Sequence, residues 1–66
     1  GLNDYLTYIR IFHAERLLKT TDSSITQIAA ACGFNDSNYF STVFKQLKGI
    51  TPRQFRKLSS DGIFQN

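Results

Sequence analysis

Two glycines, each set directly after a short amphipathic run and each followed by an apolar residue, constrain this chain more than any other feature. Gly33-Phe34 and Gly49-Ile50 read as helix stops, because glycine enters the left-handed backbone region without steric cost and the apolar residue after it packs back on the last turn. Each stop is coupled to a start. Ser24-Ile25-Thr26-Gln27 has a hydroxyl at the N-cap and glutamine three residues on, the capping box; Thr51-Pro52-Arg53-Gln54 repeats it with proline at the first helical position. Asn35-Asp36 offers a cap for the segment between the stops.

Four helices follow from this punctuation. The first is expected over 4–20, capped by Asn3 with Asp4 near the positive end of its dipole. Tyr5, Leu6, Ile9, Phe12, Leu17 and Leu18 supply its apolar stripe, which Tyr8 and Ile11 widen. The second starts at Ile25 and buries Ile25, Ile28, Ala29 and Cys32; at barely two turns it needs an immediate packing partner. The third, 36–48, has an apolar face of Phe40, Val43, Phe44 and Leu47, and a polar face of Asn38, Ser41, Thr42 and Lys45 about 160° away. The fourth, 52–58, turns Phe55 and Leu58 inward and Arg53, Arg56 and Lys57 to solvent. Residues 59–66 are expected to fray. No run alternates with period two, so the fold class is all-α: a small helical domain.

At 66 residues only one unit is possible, and such a chain buries about 60% of the surface its unfolded form exposes. Charge is unevenly placed. Residues 1–40 carry three cations and four carboxylates, a net −1; residues 41–66 carry Lys45, Lys48, Arg53, Arg56 and Lys57 against Asp61, a net +4. A basic cluster of this kind is either a solvated tail or a footprint for phosphates.

Residues 25–47 have the order of a helix-turn-helix: a short helix, a glycine turn, and a helix with one apolar and one polar face. Ala29 and Ala30 suit the close crossing of the two helices, and Gly33 permits the change of direction. The outer face carries side chains that read a major groove. Asn38 can bond adenine bidentately, and Ser41 and Thr42 can bond either base type or touch a thymine methyl. Ser37 lies in the first turn, where a helix N-terminus also favours phosphate oxygens. Lys45, Lys48, Arg53, Arg56 and Lys57 are the candidate backbone contacts. An amphipathic helix needs no ligand to explain a polar outer face, so a helical protein-interaction module stands as the alternative.

Arg10-Ile11, Ala14 and Leu17-Leu18, followed by Ile25-x-x-Ile28-Ala29 and Gly33-Phe34, form the first part of a recognisable string. Ser37-Asn38-Tyr39-Phe40-Ser41, Val43-Phe44-Lys45, Gly49 and Thr51-Pro52-x-x-Phe55-Arg56 complete it. Over residues 9–56 the chain resembles the second half of the DNA-binding domain of the AraC/XylS family of bacterial transcription regulators. The resemblance implies two helix-turn-helix units joined by one long helix, with helix one as the connector and 25–47 as the second unit. The first unit and an effector-binding domain would then lie outside this chain, and the regulator would act in the bacterial cytoplasm, at the nucleoid. Groove-facing positions carried over fall at Ser37, Asn38, Ser41 and Thr42; many relatives have arginine where Thr42 stands. Double-stranded DNA is the implied partner, with RNA polymerase as a further one. Loss of a packing unit from helix one would leave the apolar sector around Tyr8 and Ile11 to drive self-association.

Other chemistry finds little support. His13 and Glu15 are two apart on a helix and do not face one another. Cys32 sits at a core-facing position, as a small hydrophobe rather than a nucleophile. Neither metal-ligand spacing nor a phosphate-cradling glycine loop is present, so no metal, cofactor or enzyme activity is expected. No apolar run approaches the ~18 residues of a membrane span.

Overall fold

Hydrogen-bonding side chains and the two glycines determine where the helices begin and end. The computed structural model describes residues 4–60, which form α1 (Asp4–Thr20), α2 (Ile25–Ala31), α3 (Ser37–Lys48) and α4 (Pro52–Ser60), with no strand among the described residues. At α2 the capping box is complete: the Ser24 hydroxyl accepts from the Gln27 N–H at 3.0 Å, and Gln27 Oε1 accepts from the Ser24 N–H at 2.9 Å. Thr51 and Gln54 repeat it at α4, at 3.1 and 2.9 Å. Asp36, not Asn35, caps α3, its Oδ1 accepting from the Asn38 N–H at 2.8 Å.

The stops differ from one another. Gly33, at φ +94°, closes α2 with two bonds, its own N–H to the Ala30 carbonyl and that of Phe34 to the Ala29 carbonyl. A side chain there would also meet Arg10, whose Nε lies 3.0 Å from where a Cβ would stand. Gly49, at φ +85°, uses a single bond from its N–H to the Lys45 carbonyl, so Gly49-Ile50 does not repeat the two-bond closure. Ser59 and Ser60 are helical rather than frayed; residues 61–66 and the expected Asn3 cap lie outside the described residues.

Packing centres on four phenylalanines. Phe34, Phe40, Phe44 and Phe55 stack in sequence at centroid distances of 5.1, 5.8 and 5.5 Å, tilted or edge to face, the favoured geometry for aromatic pairs. Ile28, Ala29, Cys32 and Val43 complete the core from α2 and α3. From α1 the buried stripe is Ile11, Ala14 and Leu18, at i, i+3 and i+7. This corrects the expected stripe, since Tyr5, Leu6 and Phe12 are exposed. The physical reason is that α1 packs on α2 and α4 along one side only, and that side takes the residues nearest the phenylalanine stack. The exposed apolar sector is accordingly Tyr5, Tyr8 and Phe12, and Ile11, expected in it, is 2% exposed. Leu47, expected in the core, is exposed, and only Ala29 of the alanine pair is buried at the crossing.

Candidate nucleic-acid interface

The polar face of α3 is open to solvent where the phenylalanines are not. Asn38, Thr42 and Lys45 are exposed, opposite Phe40, Val43 and Phe44. Ser37 and Ser41 are half-buried because they turn toward α4. There they share a cleft with Thr26 from the first turn of α2 and with Thr51 and Arg53 from the start of α4; Asn38 stands at its outer edge. The turn at Gly49 makes this arrangement possible by bringing the N-terminus of α4 beside the N-terminal half of α3. Arg53 is exposed, and Lys57, one turn along the same face of α4, is exposed with it.

Two of the side chains expected to face phosphates have partners within the chain, Arg56 half-buried and Lys48 at the surface. The Arg56 guanidinium donates from Nε to the Leu18 carbonyl at 3.3 Å and from Nη2 to the Thr21 carbonyl at 3.1 Å. It thereby serves the carbonyls at the end of α1 that lack helical partners, a favourable site for a cation. Half-buried there, it does not face solvent with Arg53 and Lys57. Lys48 Nζ lies 3.2 Å from Glu15 Oε1 and ties the end of α3 to the middle of α1. Lys45 has no such partner among the described residues and remains on the outer face.

The groove-facing candidates are also modified by their surroundings. The Thr42 hydroxyl donates to the Asn38 carbonyl at 3.0 Å, which uses its one proton and leaves a methyl and two lone pairs for a ligand. The Asp36 carboxylate occupies the N-terminus of α3. That negative charge opposes an anion beside Ser37, so the favourable place expected there for a phosphate oxygen is taken.

Three side chains in or beside this face carry no assigned role in the sequence reading. Thr26 lies inside a capping box, and nothing local signals that it also lines the cleft. Arg10 sits with its guanidinium carbon 5.9 Å from the centre of the Phe34 ring, over the turn. Tyr39, in the first turn of α3, is 59% exposed and lies 6.1 Å from the same ring. Elsewhere, burial pushes the Cys32 thiol up from its ordinary value, against the thiolate a nucleophile needs. The described residues contain no cluster of metal-ligating side chains and no helix long and apolar enough to cross a membrane.

Comparison with known proteins agrees with this geometry. The family model of a helix-turn-helix domain matches residues 1–58. The "HTH-type transcriptional activator RhaR" of Salmonella arizonae is 49% identical over 59 residues, covering 89% of this chain and 21% of that protein. The protein of the same name from Salmonella enteritidis PT4 matches to the same extent. Among solved structures, the C-terminal domain of the two-component response regulator yesN from Fusobacterium nucleatum superposes with a TM-score of 0.82 at 45% identity. That match covers 85% of this chain and 54% of the other. The chain thus spans about a fifth of the length of the curated relatives it matches.

Proposed function

The chain belongs to the AraC-type helix-turn-helix family, and on that footing we propose that it is the second DNA-reading unit of a bacterial transcription regulator. In this reading α1 is the connecting helix, α2 and α3 form the helix-turn-helix, and α3 enters the major groove. Ser37, Asn38, Ser41 and Thr42 are the base-facing set; Lys45, Arg53 and Lys57 meet phosphates. An effector-binding domain, where the regulator has one, belongs to another part of the longer protein, which acts at the nucleoid.

One observation carries the proposal. The outer face of α3 presents an amide, a methyl-bearing hydroxyl and an ammonium, free of cover, and Arg53 stands across a cleft from its first two turns. A helix so exposed and flanked by a cation has the width and chemistry of a groove reader. Asn38→Ala should therefore change preference at one base pair by about 1–3 kcal/mol, measured by competition among single-base variants of a bound duplex. Equal weakening on every sequence would remove Asn38 from base reading.

A protein contact is favoured separately by α1. Tyr5, Tyr8 and Phe12, at 78%, 58% and 56% exposure, form a continuous apolar stripe of the kind that marks interaction surfaces. Its partners in this reading are a second copy of the chain or RNA polymerase. Sedimentation should show the average mass rising with concentration, and Tyr8→Ser should lower that rise. A monomer at every concentration would exclude self-association.

A further inference from the structure

We infer that Tyr39 contacts the sugar-phosphate backbone on the groove wall opposite the one that Arg53 faces. The inference rests on the reading of α3 as the groove helix. Ser37 and Ser41 turn toward the cleft with Arg53. Tyr39 follows Ser37 by two residues and so lies about 200° further round the helix axis. Asn38 and Thr42 point outward between these flanks. A helix lying in a major groove about 12 Å wide meets one phosphate ridge on each side. α4 supplies cations to the first. On the second flank α3 offers only Tyr39 and, two turns on, Gln46.

Tyr39 is exposed yet held. Its ring rests 6.1 Å from that of Phe34, which is 7% exposed and stacks at 5.1 Å on the fully buried Phe40. Arg10 covers the Phe34 ring as well, at 5.9 Å. The tyrosine therefore stands on a fixed aromatic base, and no described residue hydrogen-bonds its hydroxyl. A ring with two torsions loses little entropy when it is fixed against a partner, and a phenol is among the groups that bond phosphate oxygens. An aromatic on a face that otherwise carries an amide, hydroxyls and an ammonium thus has a ligand-side reason to be there.

Tyr39→Phe keeps the ring and its contact with Phe34, so helicity and melting temperature should match those of the parent chain. Binding to a panel of unrelated duplexes at low salt should weaken about fivefold on every member. The salt slope should not change, since no charge is lost. Tyr39→Lys should restore affinity and steepen the slope by about one unit, because a side chain at this position reaches a phosphate; an unchanged slope would overturn that reach. Unaltered binding by Tyr39→Phe would overturn the contact, and so would a loss confined to one sequence, which would make Tyr39 a base reader. Absence of duplex binding by the unsubstituted chain would overturn both this contact and the reading of α3 beneath it, a result distinct from binding that the substitution leaves intact.

Discussion

Phe44→Ala should leave the chain largely unfolded at 25 °C. Phe44 is 0% exposed and bridges the aromatic stack, with Phe40 at 5.8 Å and Phe55 at 5.5 Å. Truncating a phenylalanine so placed costs about 3–5 kcal/mol, part of it transfer and part the cavity left behind. A chain of 66 residues has about 3–10 kcal/mol in total at the usual per-residue stability, and small chains lie toward the lower end. Loss of this ring also separates α3 from α4, since Phe44 and Phe55 meet across that boundary. Far-UV circular dichroism through a urea titration measures it. A midpoint equal to that of the parent chain would show that the stack is not what holds the helices together.

The salt dependence of duplex binding should be shallow for so basic a segment. Five cations lie between residues 41 and 66, but Lys48 is paired with Glu15 and Arg56 with the carbonyls of Leu18 and Thr21. Lys45, Arg53 and Lys57 remain. At about 0.9 log units per neutralised phosphate, three contacts give a slope near −2.7, or a roughly 40-fold loss of affinity between 50 and 200 mM salt. Five contacts would give about −4.5 and a loss of roughly 500-fold. Fluorescence anisotropy of a labelled duplex across a salt series distinguishes the two. A slope near the larger value would mean that Arg56 and Lys48 leave their partners on binding. A nearly flat response would favour a protein partner over DNA for this surface.

Helix ends were legible in the sequence because their chemistry is local. Ser24 with Gln27, Thr51 with Gln54, and Gly33 act on neighbours within a turn, so spacing alone identifies them. The buried face of α3 was legible for a related reason: its apolar residues fall on one side. α1 was not. Leu6 and Phe12 are as apolar as Ile11 and Leu18, and only the position of α2 and α4 decides which stripe is covered. The same limit applies to charge. Arg56 lies 38 residues from Leu18, and Lys48 lies 33 from Glu15, so no window of sequence reveals that either is engaged. The bond from Thr42 to Asn38 is different, since a threonine inside a helix commonly donates to the carbonyl four residues back.

The attachments of Arg56 and Lys48 have a mechanical consequence. Both lead to the C-terminal half of α1, so α3 and α4 are each tied to a single rod. Seventeen helical residues make that rod about 26 Å long. A tilt of about 5° at one end displaces the other by about 2 Å, a large fraction of a hydrogen-bond length. Whatever grips the Tyr5 end of α1 would therefore, on the proposed reading, steer the angle at which Asn38 meets a duplex.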